Sequence, residues 1–507
     1  MTLSRLPLRL GICAVFSLLA GCLVGPRYHT PAPTGDFEPV PAGYKENPAR
    51  FKGGDGWEVA RPSDAMLRGK WWKVFRDPEL DSLEDSLEIN NQNIKEFFQN
   101  FMEARALVGE ANSQLYPSLT ANASYARSFT PSNPSSAFAS AISANPITSI
   151  MTALNLSWEP DLWGKIRNQV FAAQYQAQVS AADLENERLT EESSLAVFYF
   201  ELRGQDALEK LFYDTIEADK KSLDYTKSQY QTGITDQIAV VQATNTLQNA
   251  EATATNLGVL RAQYEHAIAV LIGRIPSSFG MPTQILNATP PPIPLGLPSE
   301  LLERRPDVAA AERAMAAANA QIGMAEAAYF PTVTLGANGG FQSNRFNDLF
   351  DYNNRDWSIG PTVSETIFDA GLRTATVHQF VATYNSDLAA YRQTVLTAFQ
   401  QVEDNLAQVR ILSKQLLQQR DAVQSAQQFL TLETERYKTG IDPYVDVVTA
   451  ETTLLTDQQL AIDVQIQEMT GAVQLIEALG GGWDKSQLPN PHDVAKWPSR
   501  AETAIQH

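Results

Sequence analysis

YQTGITDQIAVVQA (residues 230–243) and YKTGIDPYVDVVTA (residues 437–450) are near-copies 207 residues apart, 437 against 230. Each opens on Tyr-x-Thr-Gly-Ile and reaches Ala thirteen residues after the Tyr. The offset of 207 also relates Gly164 to Gly371, Gly233 to Gly440 and Gly273 to Gly480, while Pro117 and Pro331 lie 214 apart. One offset kept across three glycine pairs identifies an internal duplication. The seven-residue difference falls between two candidate strands, where a hairpin loop varies in length freely.

A long helical pattern precedes each phrase, over residues 162–230 without a proline and over residues 371–437. At about 1.5 Å per residue each reaches roughly 100 Å, which no compact globular domain accommodates. In the second, Phe380, Tyr384, Leu388, Tyr391, Val395, Phe399, Val402, Leu406, Val409, Leu412 and Leu416 advance 36 residues in ten steps. That average of 3.6 draws one narrow apolar stripe along a nearly straight helix. A further helix follows each phrase, to about Ile272 and about Leu479. Helical patterns also cover residues 71–114, with Asp77-Pro78 as a start signal, and residues 298–328.

Between these helices lie strand patterns. In LYPSLTANASYARSF (residues 115–129), Leu119, Ala121, Ala123 and Tyr125 alternate with Ser118, Thr120, Asn122 and Ser124. Leu154, Leu156 and Trp158 form a second apolar face. Val333, Leu335, Ala337 and Phe341 form a third, and Trp357, Ile359 and Val363 a fourth. Each is a period-2 pattern, about ten residues long, with one apolar and one polar face.

The amino terminus reads as an export signal. Arg5 and Arg9 form its basic end, residues 10–19 its apolar run, and Leu19-Ala20-Gly21-Cys22 a bacterial lipobox pattern, with Cys22 the expected lipidation site. Cleavage there removes Arg5, Arg9 and Cys13, takes the formal charge from −19 to −21, and leaves Cys22 as the last cysteine. Lipid would anchor the chain to a membrane. Leu23 after the cysteine, where an Asp would retain a lipoprotein at the inner membrane, points to the outer membrane. The expected organisation is a signal peptide (1–21), a Pro- and Gly-rich extended arm (22–70), a first repeat (71–274), a Pro-rich linker (275–297), a second repeat (298–481) and a loosely ordered polar tail (482–507).

The acidic balance excludes nucleic acid as a partner. After residue 21 no run of eighteen apolar residues suggests a helical membrane span. Enzymatic chemistry finds no motif. His29, His266, His378, His492 and His507 form no HExxH or other close ligand cluster, and neither GxSxG nor GxxxxGK[ST] occurs. No cofactor or metal is expected, and the acidic residues read as solvated helix faces.

The strands separate a coiled-coil strut from a pore. Ten alternating residues cross a bilayer as a tilted strand, yet four strands cannot close a barrel and lipid tolerates no open edge. Three copies supply about twelve strands, within the range of outer-membrane barrels. The fold class expected is therefore a mixed α+β membrane protein. Its long α-helical barrel continues into a transmembrane β-barrel of four strands per chain, closed in a homotrimer.

At this point the residues resemble a known family. LAGC at 19–22, WWKVFRDPEL at 71–80, GLPSELLERRPDVAAAE at 296–312, AYFPTVTL at 328–335 and the Tyr-x-Thr-Gly phrases are similar to those of the TolC-like outer membrane factors. The likeness is strongest to the NodT-type lipoprotein branch serving resistance-nodulation-division (RND) pumps. It implies the exit duct of a tripartite efflux pump, passively conducting small molecules. It further implies a periplasmic adaptor and an inner-membrane RND-type pump as partners, beside outer-membrane lipid. It makes the phrases around Gly233 and Gly440 the periplasmic turns, and by motif position Tyr437, Val445 and Asp446 the gate contacts. Related lipoproteins often carry Asp where this chain has Thr449; Asp446, Asp442 and Asp236 are the other sources of negative charge near the mouth. For Asp236 and Asp442 helix capping after the turn is the favoured alternative. Two other functions remain open: an exit duct for type I protein secretion, and a lipid-anchored periplasmic coiled-coil adaptor, which would leave the strands unexplained.

Overall fold

The computed structural model describes residues 23–34, 39–46, 69–129, 146–286, 289–293 and 298–496. Each half runs helix, strand, strand, long helix, shorter helix. In the first half these are α1 (Pro78–Asn90) and α2 (Gln92–Ser113), β1 (Ser118–Ser128), β2 (Ile147–Trp158), α3 (Lys165–Gln231) and α4 (Gln237–Leu271). In the second they are α5 (Pro298–Arg304) and α6 (Pro306–Ala327), β3 (Thr332–Ser343), β4 (Arg355–Ser364), α7 (Leu372–Lys438) and α8 (Tyr444–Ala478). The duplication is kept to the residue: α3 and α7 each have 67 residues, α4 and α8 each 35, α2 and α6 each 22. The change of offset falls where the sequence put it, since β1 and β2 end and begin at 128 and 147, but β3 and β4 at 343 and 355.

The four strands form one antiparallel sheet in the order β1-β2-β3-β4. The register pairs Leu119 with Leu156, Leu156 with Ala337 and Ala337 with Ile359. The next row joins Ala121, Leu154, Gly339 and Trp357. Successive side chains point to opposite faces, so the apolar residues of all four strands share one face. Thr120, Asn155, Asn338 and Ser358 share the other. Among the described residues Leu119, Leu154, Trp357 and Ile359 stay exposed, while β3 is half-buried and Ile150 of β2 is buried. Among the described residues β1 and β4 are the unpaired edges of the sheet.

The helices pack side by side. Near the strands the order is α2, α3, α6, α7; beyond the middle it is α4, α3, α8, α7. The apolar stripe of α7 is its packed face: Tyr391, Val395, Val402, Leu406, Val409, Leu412 and Leu416 are buried. Among the described residues no helix is long and apolar enough to cross a membrane.

A girdle closes around the middle of α3. Trp71 and Trp72 are buried with Leu80, Leu87, Leu195, Tyr199 and Phe200. The buried Arg203 donates to Glu79 Oε2 at 2.5 Å, Asp206 Oδ2 at 3.0 Å and the Pro282 carbonyl at 2.7 Å. Asp206 also accepts from Arg261 Nε at 2.7 Å. One charge cluster thus pins α1, α4 and the linker onto α3, each buried charge meeting a partner.

The structure refines four of these readings. Residues 71–114 are not one helix: a 3-10 turn (Trp71–Phe75) precedes α1, and the chain breaks at Asn91 (φ −56°, ψ 131°). The Asn91 side chain accepts from Ile94 N at 3.0 Å, which makes it the N-cap of α2. The helix at 298–328 breaks at Arg305, because a residue before proline is driven out of the helical region. The arm is extended but docked: Asn168 and Asn319 donate to the Val24 and Pro26 carbonyls, Tyr28 donates to Glu312, and Glu403 accepts from Lys45 N and Glu46 N. The tail is ordered through Lys496, with Val494 buried against Ala104, Val108 and Ala177 and Gln178 donating to the Pro489 carbonyl at 2.8 Å. The signal peptide and Cys22 lie outside the described residues.

Candidate functional site

The site is the pair of turns at the far end of the helices. Both are built alike. Gly233 N donates to Tyr230 O at 3.0 Å and Ile234 N to Gln229 O at 2.9 Å; Gly440 N donates to Tyr437 O and Ile441 N to Arg436 O, both at 3.0 Å. This Schellman pattern needs a left-handed residue after the helix, and both glycines sit at φ +75°. The Thr of each phrase bonds back to the last turn: Thr232 to the Ser228 and Gln229 carbonyls, Thr439 to those of Glu435 and Arg436. The phrase is repeated because each long helix must be stopped and reversed once.

The copies differ where they meet. Tyr437 donates to Gln229 Oε1 at 2.6 Å, and Tyr444 and Ser222 share a hydrogen bond at 2.9 Å. The Tyr437 ring lies 5.2 Å from that of Tyr444 and 6.5 Å from that of Tyr225. Below them Leu223, Ala239, Ala243, Tyr444 and Val447 form a small apolar core. Burial pushes the Tyr444 hydroxyl up to about 12, so it stays a neutral donor and acceptor at neutral pH.

The acidic candidates take three roles. Asp236 is a cap, accepting from Ala239 N at 3.1 Å. Asp442 is not, which corrects the capping reading. The N-cap of α8 is Pro443, and Asp442 instead pairs with Arg436, which reaches it through Nε and, at 2.9 Å, through Nη2. The Arg436 guanidinium holds the Asp442 carboxyl below the usual range, while desolvation and the hydrogen bond to Asp442 push Glu433 up. Asp446 lies in the first turn of α8, favourable to the helix dipole. One oxygen from each of Glu433, Asp442 and Asp446 falls within a 4.8 Å cluster, whose neighbouring cation is Arg436. Val445 is exposed, and Thr449, also exposed, spends its hydroxyl on the Val445 carbonyl at 2.8 Å.

Motif position named Tyr437 as a candidate but not its neighbours Gln229, Tyr225 and Tyr444, nor Ser222 and Arg436. The signal was available in the differences between the copies. At an offset of 207, Gln229 corresponds to Arg436, Asp236 to Pro443 and Gln237 to Tyr444. The cap lost at Pro443 and the ion pair gained at Arg436 are one exchange between the halves.

An open sheet with a lipid-compatible face, set on 67-residue rods that end in paired turns, is mirrored by known proteins. Residues 83–274 and 297–481 match the family described as outer membrane efflux protein. The chain belongs to this outer membrane efflux protein family. It is 30% identical over 476 residues to the probable efflux pump outer membrane protein TtgC of Pseudomonas putida, covering 94% of this chain and 95% of that protein. It is 31% identical over 481 residues to the solvent efflux pump outer membrane protein SrpC of Pseudomonas putida, covering 93% and 97%. The solved outer-membrane channel OprN superposes with a TM-score of 0.81 at 27% identity, over 91% of this chain and all (100%) of that one. As a member of the outer membrane efflux family, the chain is an outer-membrane channel, the exit duct of an efflux pump, in which a β-barrel continues a helical barrel into the periplasm.

Proposed function

We propose that three copies close the duct, and that the paired turns form a periplasmic mouth opened by a docked adaptor and an RND-type inner-membrane pump. The observation that carries this reading is the sheet: a two-faced, four-stranded sheet with free edges at β1 and β4. In lipid those edges must pair, and the apolar row from Leu119 to Ile359 would face the bilayer while the Thr120-to-Ser358 row would face water. Edge helices α7 and α2 flank the same seam, so one packing of copies serves strands and rods together. The duct has no energy source of its own. Its part is to conduct small molecules that the pump delivers, as the efflux names of its relatives suggest. Within each chain Tyr437 and Gln229 tie the two turns together and Arg436 with Asp442 braces the second turn, favouring the shut mouth, with Cys22 as the lipid anchor. Membrane fractionation followed by light scattering in detergent tests the assembly. A trimer in the outer membrane supports it; a monomer, or a protein in the inner membrane, overturns it.

A further inference from the structure

The seam between the two halves, where α3 packs on α8, carries a second feature above the mouth. Two apolar clusters join α3, α4 and α8. One contains Leu223, Tyr444 and Val447; the other contains Phe212, Ile216 and Ala250, with Leu455 against it. Asp219 of α3 lies between Ile216 and Leu223, three residues after one and four before the other. Glu451 of α8 lies four residues after Val447 and four before Leu455. Residues so spaced share a helix face, so both carboxyls occupy seam positions that apolar residues take on either side.

Asp219 is only 4% exposed, and Asp219 Oδ2 and Glu451 Oε2 are buried without a hydrogen-bond partner among the described residues. Beside this pair the seam holds Tyr444, whose hydroxyl is bonded to Ser222, and Tyr437, whose ring packs on Tyr444. From α4 the seam meets Leu247 and Ala250, and from α7 Leu430. The cation next to Asp219, Lys220, turns away to Glu217 at 3.1 Å. Packing does not demand the carboxyls: at an offset of 207 the second long helix has the buried Ala426 where the first has Asp219. Thr244 of α4 stands where α8 has Glu451.

We propose that Asp219 and Glu451 form a proton-sensitive latch on the α3–α8 seam, closed when they are protonated and forced apart when both ionise. Burial pushes Asp219 up to about 6, and burial together with the Asp219 charge pushes Glu451 up to about 7. In a splayed seam both return to water and to the ordinary range near ~4. The closed seam therefore holds protons that the open one releases between about pH 4 and about pH 7. Its advantage is complete below that window and is lost as the pH rises through it. This rests on the mouth reading above, since the seam joins the two helix pairs that must separate.

The test is conductance of the full-length trimer in planar bilayers between pH 8 and pH 5. The open fraction of the wild type should fall at least about tenfold on acidification, one pKa unit being a factor of ten. Asp219→Asn with Glu451→Gln should hold the low value at every pH. Asp219→Ala with Glu451→Thr, which copies the residues of the other half, should lose the pH dependence as well and guards against misfolding. Variants that keep the wild-type profile would overturn the latch. Tyr437→Phe separates the two readings. If it raises conductance while the wild type ignores pH, the latch alone falls; if it changes nothing, mouth and latch fall together.

Discussion

The Tyr437 hydroxyl donates to Gln229 Oε1 at 2.6 Å, tying the last turn of α7 to the last turn of α3. Tyr437→Phe keeps the ring against Tyr444 and deletes only this bond. The expected loss is about 1 kcal/mol, roughly a fivefold shift from closed toward open. Gln229→Ala also deletes the bond from Gln229 Nε2 to the Tyr225 hydroxyl and should do at least as much, and adding Tyr437→Phe to it should change little further, because the Tyr437–Gln229 bond is already gone. Single-channel recording reads all three; additive effects would mean that the residues act separately.

The Arg436–Asp442 pair is on the surface, with Arg436 half exposed. Salt should therefore control it. Asp442→Asn should raise conductance at low ionic strength and should match the wild type near ~1 M salt, where the Debye length is about 3 Å. A difference that survived high salt would assign Asp442 a role other than pairing. The guanidinium lowers the Asp442 carboxyl, so the contribution of the pair is present above the ordinary carboxylate range and is lost as the pH falls through the lowered value.

Gly440→Ala should cost about 1 kcal/mol through backbone alone: the residue sits at φ +75° and a Cβ there meets nothing within 4 Å. In the sheet the opposite argument holds. A Cβ on Gly340 would lie 2.0 Å from the Thr152 carbonyl oxygen, while one on Gly339 meets nothing within 4 Å. Gly340→Ala should abolish heat-stable trimer on a gel, and Gly339→Ala should leave it intact. Equal tolerance would place β2 and β3 in another register.

In the girdle, Trp71 Nε1 donates to Glu192 Oε2 at 2.8 Å, and burial pushes Glu192 up to about 8. The buried Glu84 is raised as well, by burial and then by the Glu192 charge. Raised carboxyls stabilise the fold fully below the ordinary range, and that contribution is lost as the pH climbs through about 8. Thermal melting should come earlier at pH 8.5 than at pH 5.5, and Glu192→Gln should narrow the gap. A melting point that rises with pH would count against a buried proton here.

Several features were legible because they are periodic or repeated along the chain. The stripe from Tyr391 to Leu416 became the packed face of α7, and the alternation from Leu119 to Tyr125 became one face of a sheet. The turn glycines followed from the repeated phrase. The break at Arg305 was also present in the sequence, in Pro306, but the alanine-rich helix pattern around it hid the signal.

The sequence by itself determined the duplication, the length of the rods, the two faces of the strands and the place of the turns. These depend on covalent periods of 3.6 and 2 and on glycine at positive φ, all local properties. Tertiary structure alone decided that Gln229 receives Tyr437, that Tyr444 meets Ser222, and that Asp219 and Glu451 share a seam. A carboxylate looks the same in sequence whether it caps, pairs or is buried; its role is set by what lies within a few ångströms, and those neighbours come from residues up to 232 positions away, 451 against 219.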